Sequence, residues 1–468
     1  MSTALPNIVV FVADDLGWGD LSCYGAQGVS TPRIDELARR GTRFVDCHAS
    51  SAVCTPSRYS ILTGTYPWRS PLKAGVLGGA DPSIIRVGTP TLASVLAGAG
   101  YRTGAFGKWH LGLGWQLRDG RRVDAFDGGF RPNMQGDGRD IDYSLPFTGG
   151  PTELGFERFF GISGSLDMPP YCFLDQDRTV GVPALEKEPL HTSQRPGLTV
   201  PGWRDDEVDV RVVSEAVSWL GDGDGRPFFA YVASAAPHRP CVPPSFVQGT
   251  SAAGARGDSI HLVDWMVGEL VDALAAAGEL DNTLFLVTSD NGAPMIFPED
   301  GDVANFPPNG PWRGQKADAY EGGHRVPLVC AGPGVPAQAS RGEVISLLDL
   351  LPMIAEVVGA TGVAGDGVAF ALAPEAVEAD PERIIGVQAY DGRLVLRSGD
   401  RKAIYGSGSG GFSEPVGEPC GPDDPDGQVY DLGSDPAETR NLWGDGERTE
   451  VVLHERFSNT TGYAWPTR

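Results

Sequence analysis

From Asn7 to Ala13 the chain reads as one continuous apolar run of β-branched and aromatic residues. A half-exposed strand would alternate, so an unbroken run predicts a strand buried on both faces. Comparable strands are expected at Thr42–His48, Tyr101–Phe106, Pro227–Ser234, Thr283–Thr288 and Val326–Ala331. Helical segments fall between them. Thr31-Pro32 reads as N-cap and first helical position, with Gly41 as the stop, and Thr89-Pro90 caps a helix over Thr91–Leu96. Glu207–Leu220 and Leu347–Val358 also read as helices. Asp258–Ala277 places Leu262, Val263, Met266, Val267, Leu270, Val271 and Leu274 on one helical face. Strands alternating with helices predict an α/β fold, a mostly parallel sheet covered on both sides. From Leu113 to about Gly150 the periodicity is weak, which predicts a surface excursion. Beyond about Gly365 only short runs remain, Leu394–Leu396, Lys402–Tyr405 and Val429-Tyr430, among Gly, Pro and Asp. These predict a small antiparallel domain, so the expected division is residues 1–364 and 365–468.

The polar residues that end the apolar runs carry the chemistry. Asp14-Asp15, His238 and Asp290-Asn291 each stand at the carboxyl end of a strand, and Lys108 and His110 follow a fourth. Ligands of open α/β sheets bind outside those ends. Asp14, Asp15, Asp290 and Asn291 form an all-oxygen set that suits Ca²⁺ or Mg²⁺ rather than zinc. Each pair alone also reads as a turn or a cap. Arg58, Lys108, His110, His238 and Lys316 are the cationic partners, suited to an anion with several oxygens. His48, His191, His261 and His454 read as hydrogen-bonded structural residues, Cys47 reads as core, and His324 is left open. No Gly-x-Ser-x-Gly elbow surrounds Ser57.

Composition narrows the partners. The net charge of −24 argues against nucleic acid and anionic membranes. A small anion remains compatible, because salt screens the global field within about 8 Å and the local site decides. The seven cysteines include no CxxC spacing, which argues against a zinc site or a disulfide framework. No apolar run approaches the ~20 residues of a membrane span, and the Ile8–Ala13 run is too short for a signal peptide. The chain as it stands reads as cytoplasmic; with a leader removed it would be periplasmic or secreted.

One further stretch, Cys54-Thr55-Pro56-Ser57-Arg58 followed by Leu62-Thr63-Gly64, organises these parts. Pro56 suits a first helical turn, so a helix is expected over Ser57–Leu62, with Cys54 at its N–H-rich end where anions bind. The stretch resembles the signature of type I sulfatases. The resemblance runs from Asn7 to about Leu442 and includes Tyr430-Asp431-Leu432, Asp435-Pro436 and Asn441-Leu442. It implies the alkaline-phosphatase-like fold, a large mixed sheet between helices with a smaller C-terminal sheet. It also implies that a formylglycine-generating enzyme oxidises Cys54 to formylglycine. Ca²⁺ would be held by Asp14, Asp15, Asp290, Asn291 and the modified Cys54. Arg58 would support the formylglycine, and Lys108, His238 and Lys316 would bind sulfate. The hydrated aldehyde, a gem-diol, would attack sulfur. His238 or Lys316 would protonate the departing alcohol, and His110 would take the proton of the second hydroxyl.

The run Ser165–Tyr171 resembles sulfatases of carbohydrate desulfation, with Ser165 and Asp167 as equal candidates for a substrate contact. Two segments, Leu113–Gly150 and Ser163–Asp177, are expected to rim the site. Their Trp115, Asp167, Tyr171, Asp175 and Asp177 would read a sulfated mono- or oligosaccharide. The alternatives are an aryl sulfatase, a phosphonate monoester or phosphodiester hydrolase with the same nucleophile, and an anion-binding protein if Cys54 stays a thiol.

Overall fold

The computed structural model describes residues 5–123, 126, 128–131, 137–190, 192–295, 297, 299–373, 380, 382–417 and 425–463. His191 and Cys420 lie outside them, as does part of the Leu113–Gly150 segment. The remaining six cysteines are free. No described helix is long and apolar enough to cross a membrane.

Five parallel strands form the centre of an eleven-stranded sheet, in the spatial order Arg158–Ile162, Arg102–Lys108, Phe228–Pro237, Asn7–Asp14 and Thr283–Ser289. Arg325–Ala331 continues the sheet antiparallel, followed by Thr42–His48 and the short strands Ala339–Arg341 and Ile345–Ser346. The antiparallel hairpin Leu174–Asp175 and Arg178–Thr179 forms the opposite edge. The apolar run that opens the chain divides by its period of two. Ile8, Val10 and Val12 enter one core, and Val9, Phe11 and Ala13 the other. The first core is covered by the helices Cys54–Thr63, Leu92–Gly98 and Leu350–Val357. The second is covered by Pro32–Arg40, Val208–Gly221 and Gly254–Ala276. Each buried Val, Leu, Ile or Phe contributes about 1.5–3 kcal/mol relative to exposure. This two-sided burial therefore holds the central strands rigidly.

Helix ends follow the chain chemistry closely. Pro32 is the first residue of its helix, with Thr31 as N-cap and Gly41 as C-cap. The third helix begins one residue later than expected, because Thr91 is the cap: its side chain accepts from Ser94 N in a capping box.

The second sheet is antiparallel, in the order Ile385–Gln388, Leu394–Ser398, Arg401–Ile404 and Gln428–Asp431. Its first strand and the helix Thr449–Thr461 were not anticipated from the sequence. Leu453 and Phe457 of that helix pack with Leu394 and Leu396, and with Tyr66, Trp68 and Leu348 of the main body. The Leu113–Gly150 segment departs most from expectation. Leu113, Trp115, Ile141, Tyr143 and Phe147 are core residues, and the Trp115 ring packs edge-on against Tyr143 and Phe147 at 5.4 and 5.3 Å. Sparse aromatic residues converge there without the periodicity that marks a helix or strand.

Candidate active site

All five central strands run the same way, so their carboxyl ends share one edge of the sheet. That edge gathers Asp14-Asp15, Lys108, His238 and Asp290-Asn291. The helix Cys54–Thr63 enters from the side, with extended Val53 as its N-cap and Cys54 as its first residue. Ligand atoms of Cys54, Asp14 and Asp290 all lie within 4.8 Å of one another. Close backbone packing sets these positions. Gly107, at φ +104°, precedes Lys108, and a Cβ there would lie 1.9 Å from Ala233 O. Asp15, His110 and Ala317, none of them glycine, adopt left-handed φ values of 64°, 56° and 80°. Such backbone costs on the order of 1–3 kcal/mol per residue and clusters where function demands it.

The charges are paired across the edge. Lys108 Nζ lies 2.5 Å from Asp14 Oδ2, and Arg58 Nη2 lies 2.8 Å from Asp290 Oδ2 and 3.6 Å from Asp14 Oδ1. Arg58 Nη1 also donates to Lys108 O at 3.1 Å. Lys316 Nζ donates to Asp15 Oδ2 at 2.7 Å, and Asn291 Nδ2 donates to Asp15 Oδ1 at 2.7 Å. Asp15 N donates to Asp290 Oδ1 at 3.2 Å. Ser165 Oγ contacts both Asp14 Oδ2 at 3.2 Å and His238 Nδ1 at 3.1 Å, and His238 Nε2 is 3.7 Å from Asp15 Oδ2. His110 Nε2 is 2.7 Å from Leu77 O, while its Nδ1 is buried without a hydrogen-bond partner. Asp14 Oδ1 and Asn291 Oδ1 are likewise buried without a donor.

Burial and neighbouring charge tune these groups in different directions. Burial alone would raise Asp14, but Lys108, His238, Arg58 and Lys316 together hold it well below the usual carboxylate range. Burial raises Asp290 to about 6, against the pull of Arg58. Burial, then Lys108, pushes His110 well below its ordinary value, so it is neutral at neutral pH. The Cys54 thiol is raised to about 11 by burial, against Lys108 and Lys316. As a thiol it is therefore protonated near pH 7 and a poor nucleophile.

The all-oxygen set passes a test of fit to a divalent cation. Three carboxylates and an amide converge, and two of their oxygens lack donors. Sequence reasoning missed residues that support this set. Arg256 Nη2 donates to Asp15 O at 3.0 Å and Arg256 Nη1 to Asp20 Oδ1 at 2.8 Å, while Asp20 Oδ2 accepts from Gly17 N at 2.6 Å. This arrangement braces the loop of Asp15. An arginine inside a long amphipathic helix gives no local signal of that role.

The expected rim is corrected in part. Trp115 and Tyr171 are buried, 2% and 1% exposed: the Trp115 ring packs against Tyr143 and Phe147, while the Tyr171 ring lies under Lys187 Nζ at 4.7 Å and its hydroxyl donates to Arg195 O at 2.6 Å. Asp175 and Asp177 belong to the hairpin at the outer sheet edge, where Asp175 pairs with Arg158. Asp167 stays near the site, two residues beyond Ser165, and its Oδ2 accepts from Arg195 Nη1 at 2.7 Å. Arg195 was not anticipated, since its segment carries no motif.

His48 and His324 pair with each other away from this edge, their Nδ1 atoms 2.9 Å apart. His261 accepts from Ser30 N at 3.0 Å.

Comparison with known proteins agrees with the geometry. The Sulfatase family model matches residues 6–360. An N-acetylgalactosamine-6-O-sulfatase of Bacteroides thetaiotaomicron is 36% identical over 375 residues, covering 75% of this chain and 72% of that protein. Arylsulfatase A of Homo sapiens is 33% identical over 481 residues, covering 96% and 85%. A solved Bacteroides thetaiotaomicron structure, labelled 6S-sulf and described under the metabolism of multiple glycosaminoglycans, superposes with a TM-score of 0.83 at 29% identity. It covers 98% of this chain and all of its own. A family model over residues 6–360 and relatives this similar along most of their length place the chain in the formylglycine-dependent sulfatase family, enzymes of alkaline-phosphatase-like fold that hydrolyse sulfate esters.

Proposed function

We propose that this protein removes sulfate from a sulfated carbohydrate, with Cys54 acting after oxidation to formylglycine by a formylglycine-generating enzyme. The observation that carries the reading is the convergence of Cys54 with Asp14 and Asp290 within 4.8 Å, in a site that also holds Lys108 and Lys316. The high pKa of the unmodified thiol supports it, because a protonated Cys54 would not attack an ester at neutral pH. The carbohydrate preference is supported by the relatives named for N-acetylgalactosamine 6-sulfate and for glycosaminoglycan metabolism. Residues 1–364 would form the catalytic unit and residues 365–468 a small unit packed on it.

Asp14, Asp15, Asp290, Asn291 and modified residue 54 would hold a divalent cation, Ca²⁺ by the hardness of the donors, with Mg²⁺ also compatible. When bound, that ion supplies charge neutralisation and Lewis acidity. The residues of the chain do the rest. Lys108 and Lys316 neutralise Asp14 and Asp15 in the present arrangement. With a divalent ion held by those carboxylates, the Lys108 and Lys316 ammonium groups would be available to bind sulfate oxygens. Arg58, clamped on Asp290, holds the first turn of the Cys54 helix against the site. Ser165 links Asp14 to His238 and orients that imidazole. His238 or Lys316 would donate a proton to the departing sugar oxygen. His110, neutral and with Nδ1 unpartnered, would accept the proton released when residue 54 is regenerated.

The test has two arms. Intact mass of the peptide containing residue 54 should be lower by the difference between a thiol and an aldehyde. Turnover of N-acetylgalactosamine 6-sulfate should exceed that of 4-nitrophenyl sulfate and of an aryl phosphonate. An unmodified thiol in an active enzyme overturns the nucleophile, and preferred cleavage of the phosphonate overturns the substrate class.

A further inference from the structure

The aromatic wall expected at Trp115 is supplied by a different part of the chain. Gln388 ends the first strand of the second sheet, and its backbone bonds the segment that leads into the Cys54 helix: Gln388 N donates to Ser50 O at 3.0 Å, and Ala52 N to Gln388 O at 2.9 Å. Two residues on, Tyr390 N donates to Ala317 O at 3.0 Å, and Tyr390 O accepts from Gly75 N at 2.8 Å. Ala317 N in turn donates to Ala52 O at 2.7 Å. These backbone bonds hold Tyr390 beside both Lys316 and Cys54.

Phe412 is held by the same turn. Buried Asp318 accepts from Gln315 N, Phe412 N, Ser413 N and Ser413 Oγ, at 3.0, 2.7, 3.0 and 2.5 Å. The Tyr390 and Phe412 rings lie 5.8 Å apart at 53° and pack against Val53, Cys54, Val76 and Ala317. Both residues are half-buried, so each keeps part of its surface toward solvent. The Asp167–Arg195 pair belongs to the same rim. Asp167 follows two residues after Ser165, whose Oγ contacts Asp14, and the Arg195 guanidinium opposes the rise that burial gives the Tyr390 phenol. Arg195 is the exposed partner, its side chain 40% accessible, while Asp167 Oδ1 is buried without a hydrogen-bond partner.

We propose that Tyr390 and Phe412, with the Asp167–Arg195 pair, are specificity-determining residues that hold the pyranose ring carrying the sulfate ester. This rests on the sulfatase reading above. The aromatic faces suit the C–H face of a sugar ring, and the carboxylate and guanidinium suit its hydroxyls. An aryl sulfate would offer no hydroxyl to the accessible Arg195 guanidinium. Sites built to bond a hydroxyl reject analogues that lack it.

The experiment uses the calcium-loaded, modified enzyme and its Tyr390→Ala, Phe412→Ala, Arg195→Ala and Tyr390→Phe variants. The probes are N-acetylgalactosamine 6-sulfate, 4-nitrophenyl sulfate and inorganic sulfate as a competitive inhibitor, with melting temperature as the fold control. The three alanine variants should lose about tenfold or more in kcat/KM on the sugar, mostly through KM, and less than about threefold on the aryl ester. Tyr390→Phe should stay within about threefold of the wild type on both, and inhibition by sulfate should be unchanged within about twofold. Equal losses on both esters, weakened sulfate inhibition, or unchanged sugar turnover would overturn the inference. A wild-type enzyme that cleaves neither ester overturns the parent reading instead.

Discussion

Two buried clusters of this molecule hold the same formal charge and do different things. At the sheet edge, Asp14, Asp15 and Asp290 face Arg58, Lys108 and Lys316. Between the two sheets, Asp46, Glu321 and Glu438 face Arg325, Arg397 and Lys402, around neutral His48 and His324. In the second cluster every charge is directed at another. Arg397 contacts Asp46 through both terminal nitrogens at 2.8 Å and reaches Glu321 at 2.7 Å, and Lys402 lies 3.1 Å from Glu321 and 2.8 Å from Glu438. His48, Glu321 and His324 come close enough to suggest a metal site. However, Arg397 Nη1 is 2.8 Å from His48 Nε2 and Lys402 Nζ is 3.3 Å from His324 Nε2. A cation would meet cations there. At the sheet edge Asp14 Oδ1 and Asn291 Oδ1 lack donors. Charge balance therefore does not distinguish a lock from a site; what the candidate ligand atoms already face does, since His48 Nε2 and His324 Nε2 are each met by a cation.

The largest effect expected is on chemistry. Cys54→Ala should lower turnover by on the order of 10⁴-fold or more while the melting temperature changes little, since only one sulfur atom leaves the small apolar cluster around residue 54. Cys54→Ser should at best trap a sulfated enzyme. Sustained multiple turnover by either variant would remove the modified residue from the account.

Next in size is the lock. Glu321→Ala leaves three buried cations, Arg325, Arg397 and Lys402, facing only Asp46 and Glu438, and should cost about 3–5 kcal/mol of stability, read from urea unfolding. A calcium-dependent loss would mean the two clusters are not separate.

Asp290→Ala should act in the opposite way. It removes one carboxylate from the oxygen set, so the melting-temperature rise between EDTA and millimolar calcium should largely vanish. For the wild type that rise corresponds to about 2.7 kcal/mol at a hundredfold excess of ion over Kd. If Asp290→Ala keeps the full calcium response, the assigned ligand set is wrong.

The smallest effect is a pH slope. Burial first, then Lys402, holds His324 well below its ordinary value, and burial also lowers His48. The unfolded chain protonates both below about pH 6.5 and the folded chain does not. Their contribution is therefore complete above that pH and declines as the pH falls through it toward the lowered folded values. The wild type should lose roughly 1 kcal/mol more than His324→Asn for each pH unit below about 6.5, read as urea midpoints at pH 7.5, 6.5 and 5.5. Parallel profiles would show that His324 carries a proton in the fold.

The sequence by itself determined the fold class, the run of strand ends and a helix after Cys54, expected over Ser57–Leu62 and found to begin three residues earlier, at Cys54 itself. These are local matters. Apolar period, Pro at a helix start and Gly at its stop each act over a few residues, and two-sided burial then leaves polar groups at the ends of the strands. Thr42–His48 and the Pro32 helix start were readable to the residue. Tertiary structure alone decided which polar groups meet. Lys108 reaches Asp14 across 94 positions and Lys316 reaches Asp15 across 301. It made His48 and His324 part of a lock, buried Trp115, and brought Tyr390 and Phe412 from the second sheet to Cys54. No window of sequence records such convergence, because it depends on strand order and on two sheets docking. The packing energy that drives that docking is spread over scores of apolar contacts rather than written in any one motif.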